Sequence, residues 1–201
     1  MIHGDFILKI YFLSTNAHKR EEFQELLGAD YQVQNAFSIF KDLVPEEESG
    51  STFWENALLK LAPVLDKSSN GFFFAEDSGL CCHSLNGLPG ILSARLAGEN
   101  ATDRKRRKKL LDMLKGHYRT AFFVTCLAIR DPQGQVIIYE GRVYGQIAEQ
   151  EKGEGGFGYD PIFLPWGFDK TFAEMPLAQK NRISHRSRAC EGLKNYLKKY
   201  R

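Results

Sequence analysis

The sequence predicts an α/β fold in which helices flank a mixed β-sheet. The apolar run Leu8 to Leu13 ends in Ser14-Thr15-Asn16 and precedes a polar helix from about His18 to Leu27. Phe72 to Ala75 has the composition of a short buried strand. Ala121 to Arg130 and Gln135 to Tyr144 flank an Asp-Pro-Gln-Gly turn, which predicts a long antiparallel hairpin. Strand–helix units combined with a hairpin indicate a mixed sheet.

A second helix is predicted to begin after an acidic turn. Thr52 and Glu55 have the T-x-x-E spacing of a capping box, which marks a helix N-terminus. Pro63 is expected to kink or shorten this helix, because proline cannot donate the helical hydrogen bond. The residues expected to form its core-facing stripe are Leu58, Leu61, Ala62 and Leu65.

Three further segments complete the predicted elements. Tyr31 to Phe40 is β-like, although its apolar residues alternate poorly. Helices are predicted from about Asp103 to Leu114 and from about Ser184 to Tyr200. Because no repeat, low-complexity tract or linker interrupts the chain, residues 1–201 are expected to form a single domain.

Composition excludes several classes of protein. The chain has 201 residues, of which 43% are hydrophobic and 26% charged, and its net charge of +2 is too small to favour nucleic acid or an anionic membrane as the main partner. No apolar run is long enough to span a membrane. Met1 to Phe6 lacks the basic and apolar regions of a secretory signal. The four cysteines form no C-x-x-C pair and are expected to be reduced thiols of a cytoplasmic protein.

The first candidate site lies at a strand-to-helix junction. Ser14-Thr15-Asn16-Ala17-His18-Lys19 combines small hydroxyls and a basic residue with the backbone amides of a helix N-terminus, which attract phosphate oxygens. The alternative is that Asn16 only caps the helix and that Lys19 is solvated.

Acidic residues in two separate segments form the second candidate site. Glu48 belongs to the loop before the capped helix, and Glu76-Asp77-Ser78 follows the buried strand. Magnesium prefers hard oxygen ligands, and one or two carboxylates with substrate phosphates make a typical site. Asn56 and Lys60 are four residues apart on the capped helix, so they lie on one face. The alternatives are a solvated acidic loop and an ordinary Asp-Ser-Gly turn.

Glycine-rich and basic segments complete the candidates. Gly153 to Gly158 lacks the G-K-[ST] ending of a P-loop, which excludes a Walker-type site, but its Phe157 can stack on a flat base. Lys180 and Ser184-His185-Arg186 can donate hydrogen bonds to a base carbonyl, or they are simply solvated residues at a helix start. The basic run Arg104 to Lys109 indicates either a nucleic-acid patch or a solvated helix, since six consecutive helical positions span every face.

Taken in order, these segments resemble the non-canonical purine NTP pyrophosphatase family, also called inosine triphosphate pyrophosphatases. The resemblance covers essentially the whole chain from Ile10. The matching stretches are Ser14-Thr15-Asn16 with Lys19, Glu48 to Ala57 with Lys60, Asp77-Ser78-Gly79-Leu80, Leu88-Pro89-Gly90 with Ser93-Ala94-Arg95, Gly156 to Pro161, and Ser184-His185-Arg186. Each stretch alone is weak evidence, whereas six in the correct order are specific.

The resemblance implies an elongated fold of two lobes around a central nucleotide cleft, usually as a homodimer. It implies that Glu48 and Asp77 bind Mg²⁺ and that Asp77 also accepts a proton. Glu76 stands where the family usually has aspartate, so it is the least certain metal ligand. The implied substrate-binding residues are Ser14, Thr15, Asn16, Ala17, His18, Lys19, Lys60, Ser78, Phe157, Gly158, Tyr159, Asp160, Lys180, His185 and Arg186.

The activity expected from this resemblance is hydrolysis of ITP, dITP and XTP to the monophosphate and pyrophosphate. Donors at His185 or Arg186 would recognise the 6-oxo group and reject the 6-amino group of ATP. Two alternatives stay open at this point: a pyrophosphatase acting on other modified nucleotides, and a basic nucleic-acid-binding module that uses Arg104 to Lys109.

Overall fold

The computed structural model describes residues 7–66 and 70–200 and has the predicted α/β fold, with a mixed sheet and flanking helices. Within these residues the strands are β1 (Leu8–Phe12), β2 (Tyr31–Asn35), β3 (Phe72–Cys82), β4 (Thr120–Arg130), β5 (Val136–Ile147) and β6 (Phe163–Pro165). Their order in the sheet is β2-β1-β3-β4-β5-β6. β1 pairs in parallel with β2 and β3, whereas β5 and β6 are antiparallel. Residues 1–6, on which the absence of a secretory signal was predicted, lie outside the described ranges.

Side-chain caps begin the principal helices. The helices are α1 (Ala17–Leu27), α2 (Ala36–Ile39), α3 (Phe53–Leu61), α4 (Asp103–Met113), α5 (Leu177–Ile183) and α6 (His185–Leu197). Asn16, Thr52 and Thr102 each accept a hydrogen bond from the backbone three residues later, at the first turns of α1, α3 and α4. At the predicted capping box of α3, Thr52 accepts a hydrogen bond from the Glu55 backbone amide, and the Glu55 carboxylate accepts hydrogen bonds from the Ser51 amide and hydroxyl.

Three predicted elements need correction. The β-like segment ends at Asn35, because the Asn35 side chain accepts a hydrogen bond from Ser38 and begins α2. The predicted strand Phe72 to Ala75 continues through the acidic residues to Cys82. The stripe on α3 was also wrong in part: the chain tightens into a 3₁₀ turn at Ala62–Val64, so that Ala62 and Leu65 are exposed and Val64 is buried. Shortening of this helix near Pro63 is confirmed.

The described chain divides into two compact units, each with its own apolar core. Unit 1 comprises residues 7–66, 70–77, Thr125–Gly141 and 186–200, and unit 2 comprises Ser78–Val124 and Arg142–His185. Phe12, Phe23 and Phe74 pack together in unit 1, and Phe123, Phe163 and Phe172 pack together in unit 2. Strands β3, β4 and β5 contribute residues to both units.

None of the helices within the described ranges has the length and apolar character needed to cross a bilayer.

Candidate active site

Asp77 lies near the middle of β3 in unit 1 and is 5% exposed. Two side chains from α3 contact its carboxylate. Lys60 Nζ lies 2.8 Å from Asp77 Oδ1, and Asn56 Nδ2 donates a hydrogen bond of 3.2 Å to Asp77 Oδ2. Asn56 and Lys60 thus point from one face of α3, and in this structure both contact the same carboxylate.

The loop before α3 brings a second carboxylate to the same ammonium group. Glu48 Oε1 lies 2.7 Å from Lys60 Nζ. The Gly50 backbone amide donates a 2.8 Å hydrogen bond to Asn56 Oδ1, which ties this loop to α3. Glu48 and Asp77 come from segments 29 positions apart in the sequence, and they converge on Lys60. Convergence of these two segments is the condition on which the predicted metal site depends.

Glu76 precedes Asp77 on β3 and is buried in a different set of contacts. Its Oε2 lies 2.6 Å from Lys19 Nζ, and its Oε1 accepts a 2.5 Å hydrogen bond from Thr125 Oγ1. Arg186 Nε lies 3.2 Å from Glu76 Oε1, and Arg186 Nη1 donates a 3.0 Å hydrogen bond to Glu22 Oε2. Neighbouring residues of a strand project to opposite faces, which explains why the two adjacent acids have different partners.

The junction between β1 and α1 supplies Lys19 to this network. Asn16 caps α1 by accepting a 3.2 Å hydrogen bond from the Lys19 backbone amide, and its own backbone amide donates to Ser14 Oγ. Thr15, Ala17 and His18 are exposed at the helix N-terminus. Asn16 is therefore a cap, as one alternative held, but Lys19 is paired with Glu76 and is not solvated, and phosphate binding by this segment stays a prediction.

Burial and charge act in opposite directions on these groups. Burial raises the pKa of Asp77 above its ordinary value, although nearby Lys60 partly offsets the effect. Burial alone would lower the pKa of Lys60, but Asp77 and Glu48 outweigh it and raise that pKa. Burial lowers the pKa of Lys19 despite the attraction of Glu76. Asp77 is therefore a stronger proton acceptor than an exposed aspartate.

Unit 2 contains the other predicted binding residues, around the glycine-rich loop (residues 151–158). Lys180 Nζ lies 2.7 Å from Asp160 Oδ2, and both side chains are nearly fully buried. The same oxygen accepts a 2.9 Å hydrogen bond from the Phe157 backbone amide, and Lys180 Nζ lies 5.2 Å from the centre of the Phe157 ring. The buried ion pair thus contacts both the backbone and the ring of Phe157, which is only partly buried.

Three other predicted residues, His185, Tyr159 and Ser78, also lie in unit 2. The His185 ring stacks on Phe123 with a centroid distance of 4.7 Å and is almost fully buried. Tyr159 donates a 2.8 Å hydrogen bond from its hydroxyl to the Ser93 carbonyl. Ser78, on β3, is partly exposed.

Comparison with known proteins identifies the family. The Ham1 family profile matches residues 10–196. The chain belongs to the Ham1 family. A dITP/XTP pyrophosphatase of Bacillus subtilis is 43% identical to it over 197 residues, which cover 95% of this chain and 98% of the relative. A dITP/XTP pyrophosphatase of Clostridium perfringens is 43% identical over 202 residues, covering 94% and 97%.

Solved Ham1 structures share the fold of this chain. The Staphylococcus aureus Ham1 protein is 40% identical and superposes with a TM-score of 0.83, covering 96% of this chain and all of that one. A Ham1 protein from Coxiella burnetii is 37% identical, with a TM-score of 0.84 and the same coverage.

The predicted residues of this Ham1 protein fall into two groups by unit. In unit 1, Lys19, Glu48, Lys60, Glu76, Asp77 and Arg186 form two adjoining charged clusters. In unit 2, Phe157, Asp160 and Lys180 are in contact. Residue patterns alone missed two partners in these clusters: Glu22, which accepts a hydrogen bond from Arg186, and Thr125, which donates one to Glu76. A threonine inside the apolar strand Ala121 to Arg130 was the available signal for Thr125.

Glu48 and Asp77 are the residues best suited to hold a divalent cation. They provide hard carboxylate oxygens, and the Lys60 ammonium between them shows that the position stabilises positive charge. Within residues 7–66 and 70–200, no group of three or more His, Cys, Asp or Glu side chains is arranged around a possible metal position. Two such carboxylates are hard oxygen donors of the kind that a divalent cation binds together with phosphate oxygens and water.

Proposed function

We propose that this Ham1 protein hydrolyses non-canonical purine nucleoside triphosphates, namely ITP, dITP and XTP, to the monophosphate and pyrophosphate. Removal of these compounds cleanses the nucleotide pool. The names of the relatives support the activity. The observation that carries the mechanism is the convergence of Glu48 and Asp77 on Lys60.

The triphosphate is assigned to residues around the N-terminus of α1 and to Lys60. Exposed backbone amides at the beginning of an α-helix, together with Ser14, attract phosphate oxygens. Lys19 and Lys60 add positive charge, which is the main requirement for phosphoryl transfer. Ser78, which follows Asp77 in the chain, is also assigned to the triphosphate of the substrate.

The metal is assigned to Glu48 and Asp77 as Mg²⁺. When bound, Mg²⁺ supplies charge neutralisation for the phosphates. Glu76 is assigned a different role, because both of its oxygens already contact Lys19, Thr125 or Arg186. We place Glu76 outside the metal site, as the buried counterion that orients the Lys19 and Arg186 side chains.

Asp77 is assigned as the proton acceptor for the attacking water. The water oxygen forms a bond to the α-phosphorus, and the bond from that phosphorus to the α–β bridging oxygen breaks. The water proton goes to Asp77, and pyrophosphate leaves. A pKa raised by burial suits Asp77 to this role, since a general base works best when its pKa approaches the working pH.

The base is assigned to Phe157, Gly158, Tyr159, Asp160, Lys180, His185 and Arg186. Phe157 offers a partly exposed ring on which a purine can stack. Donors from His185 or Arg186 pair with a 6-oxo group and are left unpaired by the 6-amino group of ATP. A site built around such donors discriminates by a factor of order 10⁴.

The decisive experiment compares ITP, XTP, GTP and ATP at equal concentration with Mg²⁺ and measures pyrophosphate and orthophosphate separately. We expect pyrophosphate from ITP and XTP and far slower turnover of ATP. Equal rates for all four would refute the selectivity, and orthophosphate as the main product would refute cleavage at the α-phosphorus. A pyrimidine triphosphate in the same series tests the alternative of other modified nucleotides.

Two further assignments follow the family resemblance. We expect a homodimer, which the molar mass measured by light scattering tests. We also expect the protein to act in the cytoplasm, where the nucleotide pool lies, which fractionation of the source cells tests.

A further inference from the structure

The glycine-rich loop needs an external support for its conformation. Gly156 and Gly158 flank Phe157 and have φ values of +70° and +61°, a region that residues with side chains rarely adopt. Added to Gly156, a Cβ would lie 2.1 Å from Asp160 Oδ2. Glycine permits this backbone but does not enforce it, because it also populates other conformations readily. Contacts from outside the loop must therefore select the observed conformation.

Helix α4 supplies two such contacts, one from Asp103 just before the basic segment and one from Arg107 within it. The amides of Phe157 and Gly155 are bound elsewhere, by Asp160 and Ala173. The Gly158 backbone amide donates a 2.8 Å hydrogen bond to Asp103 Oδ2, and the Gly158 carbonyl accepts a 2.8 Å hydrogen bond from Arg107 Nη1. Arg107 Nη2 also lies 2.8 Å from Glu151 Oε2. One arginine therefore connects the first and last residues of the loop, and both polar backbone groups of Gly158 are bound by the same helix.

Helical spacing separates Asp103 and Arg107 from the exposed residues of the basic run. Asp103 and Arg107 are four residues apart and share a face with buried Leu110. The Arg107 side chain is only 12% exposed, whereas Arg104, Lys105, Lys108 and Lys109 are exposed. Arg106 pairs with the other oxygen of Asp103 and holds that carboxylate in place. The segment that the sequence presented as a possible nucleic-acid patch thus has an inward-facing part that contacts the loop.

We propose that Asp103 and Arg107 are positioning residues that hold the glycine-rich loop, and through it Phe157, in the conformation that binds the purine base. This inference rests on the proposed function, since the loop is there assigned to the base. Asp103 and Arg107 contact the loop backbone and Glu151, and they act on the substrate only through Phe157.

Arg107→Met and Arg104→Met form a matched pair of test variants. Each removes one positive charge from α4, so an effect common to both reports general electrostatics. With Arg107→Met we expect the KM for ITP to rise about 10-fold, the size expected for losing charged hydrogen bonds, while kcat stays near that of the wild type. Arg104→Met retains the wild-type values, and inorganic tripolyphosphate inhibits both variants equally, because the phosphate end is unaffected.

Asp103→Ala is expected to raise KM in the same way. Asp103→Asn restores most of the wild-type KM, because its amide oxygen still accepts from Gly158. If Arg107→Met does not fold, Arg107→Lys replaces it. Lysine keeps the charge but lacks the fork of donors that bridges Gly158 and Glu151, so an intermediate KM is expected.

Hydrogen exchange of peptides covering residues 151–160 provides a readout independent of catalysis. Exchange becomes faster in Arg107→Met than in Arg104→Met when no substrate is present. Equal exchange in the two variants, or an unchanged KM for ITP in Arg107→Met, would overturn the inference. A wild-type chain that releases no pyrophosphate from ITP refutes the proposed function instead, and the base-binding part of this inference with it.

Discussion

Asp77 owes its proposed reactivity to two opposing influences at a single residue. Burial favours the protonated carboxyl and raises its pKa, while Lys60 and Asn56 hold the ionised form in a fixed orientation. A carboxylate that is oriented by hydrogen bonds and poorly hydrated is suited to remove a proton from water.

Replacing Asp77 with asparagine is expected to lower kcat for ITP by about 100-fold or more, the range found when a general base is lost. Asparagine keeps the size of the side chain but cannot accept the proton. The assay is pyrophosphate release at saturating ITP and Mg²⁺, and exposed Asp66→Asn serves as the control. Near-normal turnover in Asp77→Asn would remove Asp77 from the mechanism.

Single residues were predictable from sequence where their partners are near in the chain. The Asn16 and Thr52 caps bind backbone groups three residues away, so their spacing alone marks them. Glu76 was harder to interpret, because its partners Thr125 and Arg186 lie 49 and 110 positions away in the sequence. Only the folded structure shows that this acid is buried against the Lys19 and Arg186 side chains.

At the scale of elements, the β4–β5 turn shows how one buried carboxylate can join a hairpin to a helix. Asp131 accepts hydrogen bonds from the backbone amides of Gln133 and Gln135 and from the Tyr196 and Tyr200 hydroxyls. Burial opposes ionisation of Asp131, but these donors prevail and lower its pKa below 3.8. Because the folded state favours the carboxylate, this contribution to stability is present above pH 3.8 and is lost as the pH falls through the folded-state pKa.

We therefore expect Asp131→Asn to reduce the free energy of unfolding by about 2 kcal/mol near pH 7, because an amide replaces an ionised hydrogen-bond acceptor. The difference from the wild type should shrink in acid, since protonation makes the wild-type side chain neutral too. Urea unfolding at a series of pH values measures this difference, with exposed Asp30→Asn as the control. A difference that stays constant down to pH 3 would show that the charge of Asp131 does not matter.

Whole elements were predicted well where one local pattern determined them, and less well where two patterns competed. The hairpin and α4 appear close to their predicted limits, because turn chemistry and helical spacing agree there. Strand β3 continues beyond its predicted end because Lys19 and Lys60 neutralise the acids that seemed to terminate it. The supporting role of α4 was not predictable, because the contact of Arg107 with Gly158 spans 51 positions in the sequence.

At the scale of the whole molecule, the four cysteines report on both units. Cys81 and Cys82 lie in unit 2, whereas Cys126 and Cys190 lie in unit 1, and all four are buried thiols. Burial raises the pKa of Cys81 to about 11 and the pKa of each of the other three to about 12. Since the thiolate is the reactive form, all four should resist alkylation until the surrounding unit unfolds.

Alkylation at increasing urea concentrations, followed by mass spectrometry of each cysteine peptide, therefore follows the unfolding of each unit separately. We expect the two pairs to become reactive over the same range of urea. Strands β3, β4 and β5 each contribute residues to both units, so unfolding of one unit disrupts strands that the other unit shares. Fully unfolded protein gives the maximum labelling of each peptide and serves as the reference. If Cys126 and Cys190 reacted at a clearly different urea concentration from Cys81 and Cys82, the units would unfold independently, and the prediction of a single domain over residues 1–201 would be wrong.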